Sequence, residues 1–112
     1  MGIVNKNKVS TVNFMKNAGD CLISDSILSG YSRLKHLYRV QPETPTDSGW
    51  RALSEEDTEI DSDNFTTCDY NTLATIEPAV LFVHNRPYGT DLEFCYRDGR
   101  RYFIDRATGE EI

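Results

Sequence analysis

Apolar positions along this chain fall into short clusters separated by turn-forming residues, and their spacing changes from cluster to cluster. Between Lys6 and Asn17, Val9, Val12 and Met15 recur at roughly helical spacing with Phe14 to one side, but no strong cap precedes them. The segment reads as a short helix or a frayed arm. Cys21, Leu22 and Ile23 form an apolar run that ends at Ser24 and Asp25, and Gly30 closes the stretch. This predicts a strand, a turn and a helical turn over Ile27 and Leu28. From Arg33 to Val40 the pattern alternates, with Leu34, His36, Tyr38 and Val40 on one side and Arg33, Lys35, Leu37 and Arg39 on the other. That is a half-buried strand. Pro42 and Pro45 break the ladder, and Asp47, Ser48 and Gly49 lead into a second strand over Trp50, Arg51, Ala52 and Leu53.

Further along, residues 55–63 contain Glu55, Glu56, Asp57, Glu59, Asp61 and Asp63 with Ile60 the only large apolar residue, which predicts a solvated loop. Asp69 is placed to cap a short helix through Leu73, Ala74 and Ile76 that Pro78 stops. The apolar run Ala79 to Val83 is too short to assign as strand or helix, and Asn85 to Thr90 is a loop. Leu92, Phe94 and Tyr96 alternate before Asp98 and Gly99, and Tyr102, Phe103 and Ile104 follow, which predicts a hairpin. A three-residue loop including Arg100 would set Phe94 opposite Ile104 and Tyr96 opposite Tyr102, gathering the larger apolar set on one side, and is the expected register. The sum is an α+β fold: a single small domain with a mostly antiparallel sheet, one or two short helices and a C-terminal β-hairpin.

Composition agrees with a small folded core. The 112 residues are 38% apolar and 11% aromatic, too rich in large apolar groups for a disordered chain and too short for two independent cores. Charge is more telling. The net charge of -6 divides unevenly, because residues 1–19 carry Lys6, Lys8 and Lys16 and no acid, leaving -9 on residues 20–112. The expected organisation is therefore a basic arm over 1–19 and an acidic domain over 20–112. A phosphate-tracking surface needs positive charge, so nucleic acid is not expected as a partner. No stretch has the roughly 18 apolar residues of a membrane span, and the first residues lack a secretory apolar region, which predicts a cytoplasmic protein with no membrane association. Cys21, Cys68 and Cys95, odd in number and widely spaced, read as reduced thiols.

Candidate chemistry is sparse. An EF-hand frame begun at Asp57 puts Ser62 where the sharp turn needs Gly and Cys68 where a bidentate Glu is needed. His36 and His84 lack close ligand spacing to each other or to any cysteine. Neither metal nor cofactor is expected, and phosphate-loop and nucleophile-elbow motifs are absent, so no enzyme is predicted. Trp50 admits two readings. With Arg51 it makes an interface anchor, or it fills the core while Arg51 ties the acidic run to the sheet by ion pairs.

Several words of the sequence resemble a bacterial family of small proteins, first catalogued as a domain of unknown function and then described as immunity proteins of polymorphic toxin systems. They are Cys21-Leu22-Ile23-Ser24, Leu37-Tyr38-Arg39, Asp47-Ser48-Gly49-Trp50-Arg51 with an acidic tract after it, Asp69-Tyr70-Asn71-Thr72-Leu73-Ala74, and Pro87-Tyr88-Gly89-Thr90. The resemblance covers roughly residues 20–96, and Asp-Ser-Gly-Trp-Arg is its most specific element. It departs at Ala52-Leu53-Ser54-Glu55, where the family tends to have aromatics and a Gly, and at His36, where an aromatic is usual.

The resemblance implies a protein without catalysis of its own that binds a cognate toxin, basic where that toxin is nuclease-like, and blocks its active site or substrate path. The expected contacts are Trp50 and Tyr88 as aromatic anchors and Glu55, Glu56, Asp57, Glu59, Asp61 and Asp63 as a steering surface. A family-defining motif is shared by all members whereas a toxin-specific surface should differ between them, so the acidic run is the better candidate surface. The competing reading is a stand-alone regulatory or ligand-binding domain, with a metal-assisted hydrolase behind it. The chain alone leaves a homodimer open.

Overall fold

The computed structural model describes residues 11–112. The elements follow in the order β1 (Asp20–Ser24), α1 (Asp25–Leu28), β2 (Leu34–Arg39), β3 (Asp47–Ser54), β4 (Phe65–Asp69), α2 (Tyr70–Ile76), a 3-10 turn (Pro78–Phe82), β5 (Asp91–Arg97) and β6 (Arg100–Asp105). The six strands form one sheet in the order β4-β1-β3-β2-β5-β6. Only β1 and β3 run parallel; every other neighbouring pair is antiparallel. This is the expected α+β architecture with its C-terminal hairpin.

One cluster of buried side chains unites the inner face of the sheet with the short helices: Ile23, Leu37, Trp50, Ala52 and Leu92 meet Ile27, Tyr70, Leu73, Ala74 and Val80. Helix α2 starts as its sequence requires, because Asp69 accepts a 2.7 Å hydrogen bond from the backbone of Asn71, satisfying one of the N–H groups a helix leaves unpaired. Tyr70 buries its ring there and donates from its hydroxyl to the Val80 carbonyl at 2.7 Å, which fixes the 3-10 turn over α2. The apolar run that was ambiguous from Ala79 to Val83 therefore turns under Pro78 rather than extending.

The short helix that was one reading of Lys6 to Asn17 does not form over residues 11–17, while residues 6–10 lie outside the described residues. Instead the segment is laced to α2 through Asn71, with Thr75 accepting from the Val12 backbone at 2.9 Å and the Thr11 and Thr72 hydroxyls 2.9 Å apart. Asn71 Oδ1 accepts from the backbones of Phe14 and Met15 at 3.1 and 3.0 Å, and its Nδ2 donates to the Met15 carbonyl at 2.9 Å. Backbone groups that a helix would have paired internally are satisfied by this amide.

Two registers differ from expectation. In β2 the pairs Leu34↔Ser54 and His36↔Leu53 leave Lys35 as an extra residue. This bulge moves Leu37 to the buried side with Leu34, while His36 and Tyr38 fall on the outer face and are only half-buried. In the hairpin the loop is two residues, not three: Phe94 pairs with Phe103 and Leu92 with Asp105. Asp98 and Gly99 both take positive φ, 54° and 79°, the geometry whose twist matches the flanking strands. That turn preference outweighs the apolar count. Phe94 and Phe103 pack as a tilted pair with ring centres 4.9 Å apart, and Asp105 escapes its apolar neighbour by accepting from the Ala107 backbone at 2.8 Å.

Candidate partner-binding surface

The Asp47–Arg51 element is built into the fold. Alternation along β3 sends Trp50 and Ala52 inward and Arg51 outward. Trp50 is completely buried and its indole nitrogen donates to the His84 carbonyl at 3.1 Å. An aromatic anchor must be reachable, so the expectation of Trp50 as a toxin contact is replaced by its role as the largest fully buried side chain of the core. Ser48 donates to the Asp20 carbonyl at 2.6 Å and accepts from the Trp50 backbone at 3.2 Å, tying β3 to β1. Gly49 sits at φ +88°, and a Cβ there would lie 2.0 Å from the Val40 carbonyl oxygen, so only glycine fits.

Arg51 is only 4% exposed. It does not reach the acidic run, as one reading expected; it bonds Asp47 through both terminal nitrogens and reaches Glu43 at 3.3 Å. The Arg51 guanidinium holds the Asp47 carboxyl well below the usual carboxylate range, helped by backbone donation from Glu43 and Gly49. This is an Arg–carboxylate fork in which the carboxylate is further satisfied by amides.

The six acids of residues 55–63 lie on the connection from β3 to β4, and they divide by role. Asp57 is half-buried and accepts from the backbone and hydroxyl of Ser54 at 2.8 and 2.7 Å. Partial burial opposes its ionisation, but the hydrogen bonds it accepts outweigh that and lower its pKa. Asp57 therefore shapes the turn. Glu55, Glu56, Glu59, Asp61 and Asp63 are exposed. No ion pair among the described residues involves any of the six. The loop's far end is fastened to α1, since the Asp25 backbone donates to the Asn64 carbonyl at 2.8 Å and Thr66 donates to the Asp25 carboxylate at 2.5 Å. Asp25, exposed and absent from the sequence-level candidates, thereby joins the acidic surface; only the pairing of β1 with β4 brings it there.

Tyr88 belongs to a different place. Arg39, at the far end of β2, donates to the carbonyls of His84 and Arg86 at 3.2 and 2.8 Å and lies 4.6 Å from the centre of the half-exposed Tyr88 ring. The acidic connection begins beside Leu34, at the other end of the same strand. The six residues of the strand set the two about 16 Å apart, so they are not one patch. Phe82, at 89% exposure, is a further aromatic position that the sequence did not mark; it sits in an otherwise apolar run, and no period distinguishes its outward position. Among the described residues no three His, Cys, Asp or Glu side chains converge as metal ligands, and no helix is long and apolar enough to cross a membrane.

No curated protein and no solved structure gives a significant match to this chain. The family profile described as the Immunity protein Imm33 domain matches residues 21–105, from the second residue of β1 to the end of β6. That span is well over half of the 112 residues, and the chain belongs to the Imm33 immunity-protein family.

Proposed function

We propose that this protein is a non-enzymatic immunity protein that binds a cognate bacterial toxin and blocks its active site or substrate path, with the acidic connection between β3 and β4 as its steering surface. Family membership supports a toxin partner. One observation carries the surface: five exposed carboxylates stand on one tethered loop, with no cation paired to them among the described residues. Uncompensated charge of one sign raises the local potential and speeds encounter with a basic partner while repelling nucleic acid. Tyr88 offers a separate contact at the other end of β2.

The test is co-expression with the toxin encoded in the adjacent reading frame, followed by binding kinetics. Growth should be rescued and the two proteins should copurify. Neutralising Glu55, Glu56, Glu59, Asp61 and Asp63 to their amides, with Asp57 left to hold the turn, should lower the on-rate about tenfold at low salt and flatten its salt dependence. An unchanged on-rate and salt slope would remove the steering role.

A further inference from the structure

The ladder between β2 and β5 stops at His36↔Glu93, although both strands continue. The bulge at Lys35 is the cause, because it bends β2 away while β5 runs on beside β6 to Arg97. Between them lies a cleft of about 720 Å³ whose wall includes Ser32, Arg33, Lys35, Phe94, Tyr96 and Arg97.

Antiparallel alternation determines which backbone groups face this cleft. Arg97 and Arg100 close a two-residue turn and so form a hydrogen-bonded pair, and Cys95 and Glu93 likewise turn their amide and carbonyl groups to β6. Leu92, Phe94 and Tyr96 turn theirs the other way. Leu92 meets Leu37 there, whereas Phe94 and Tyr96 meet no strand. The Ser32 hydroxyl is also buried with no hydrogen-bond partner among the described residues.

The side chains add a sign. Lys35 pairs with Glu93 at 2.9 Å and Arg101 with Glu77 at 3.2 Å, which leaves Arg33 and Arg97 without a carboxylate partner among the described residues. Arg33 rests 4.6 Å from the centre of the Tyr96 ring. Counting Glu55 on the rim, four cations face three carboxylates, an excess of positive charge in a chain of net charge -6.

We propose that this cleft receives an extended segment of the toxin, which adds as a strand to the free side of β5 at Phe94 and Tyr96 and sets a carboxylate side chain against Arg33, on the face of the sheet where Arg33 covers Tyr96. The inference rests on the immunity reading above. Strand addition draws affinity from main-chain hydrogen bonds and specificity from side chains beside the strand, and an arginine fork is the natural partner of a carboxylate. Glu55 borders both the cleft and the acidic loop, so the steering surface delivers its partner to the mouth of the cleft.

Amide exchange on the full chain, alone and with the toxin from the adjacent reading frame, tests this. In the free protein the amides of Phe94 and Tyr96 should exchange about a hundredfold faster than that of Leu92, and they should slow at least tenfold in the complex. Arg33→Glu should weaken toxin binding about tenfold or more without shifting thermal stability. Protection of both amides in the free chain overturns the proposal. So does a complex that leaves them unprotected, although the immunity reading then survives; a toxin that does not bind at all defeats both.

Discussion

Arg51 grips Asp47 with two hydrogen bonds, at 3.0 and 2.8 Å, on the outer face of β3, and the pair is almost fully enclosed. Each partner is desolvated on account of the other. Removing one leaves an uncompensated buried charge, which costs about 3–5 kcal/mol. Arg51→Ala should therefore lower unfolding free energy in denaturant titration by about 3 kcal/mol, and Arg51→Ala with Asp47→Ala together by clearly less than the sum of the two single changes. Additive losses would mean that the pair is not coupled.

The same contact makes stability acid-sensitive. Asp47 has its pKa depressed in the folded state by Arg51, while in the unfolded chain it titrates near about 3.9. A depressed carboxylate contributes stability that is fully present above the unfolded value and is lost as pH falls through and below it. Thermal midpoints should be flat with respect to this group from neutrality to about pH 5, then fall. In Asp47→Asn the fall below about pH 4 should be shallower; an identical acid limb would assign the loss to other carboxylates.

Glycine positions separate steric clash from backbone preference. Gly49→Ala must place a Cβ 2.0 Å from the Val40 carbonyl oxygen at φ +88°, whereas Gly99→Ala at φ +79° meets nothing within 4 Å. Gly99→Ala should cost about 1–2 kcal/mol, the usual penalty of a left-handed conformation. Gly49→Ala should cost more than that, and chemical denaturation of the two variants side by side gives the order. Equal costs would show that β2 and β3 yield easily at Val40.

Thiol reactivity should follow burial. Burial first, and then neighbouring negative charge, pushes the Cys21 thiol well above its ordinary pKa, and its side chain is shielded in the core. The thiolate is the reactive form. Mass spectrometry after brief native-state alkylation at pH 8 should find Cys21 unmodified while the half-buried Cys95 is labelled first; prompt labelling of Cys21 would show that β1 and β4 open readily.

The hairpin offers a check on register. A double-mutant cycle on Phe94→Leu and Phe103→Leu should return a coupling of about 0.5–1.5 kcal/mol, the worth of an aromatic pair beyond its buried area. A null coupling, with one appearing between Phe94 and Ile104, would favour the three-residue loop instead.

What could be read directly from the sequence was local. Asp69 before an apolar run and Pro78 after it define α2, because capping and chain termination act within a few residues. The crowding of six acids into residues 55–63 made a solvated connection unavoidable, since no fold buries such a run unpaired. The resemblance pointed to the family, but not to what residues Asp47 to Arg51 do.

Tertiary structure decided the rest, because it depends on which strands become neighbours. Alternation alone put Leu34 with His36 and Tyr38, and one bulged residue at Lys35 exchanged their faces. Trp50 could have been an anchor or a core residue until β3 was placed between β1 and β2. Arg51 found Asp47 on its own strand rather than the acids that follow it, and Asp25 reached the acidic loop only through the pairing of β1 with β4. The sequence by itself determined the elements and the sum of charge; the order of the strands determined which of those charges were spent inside the fold and which were left for a partner.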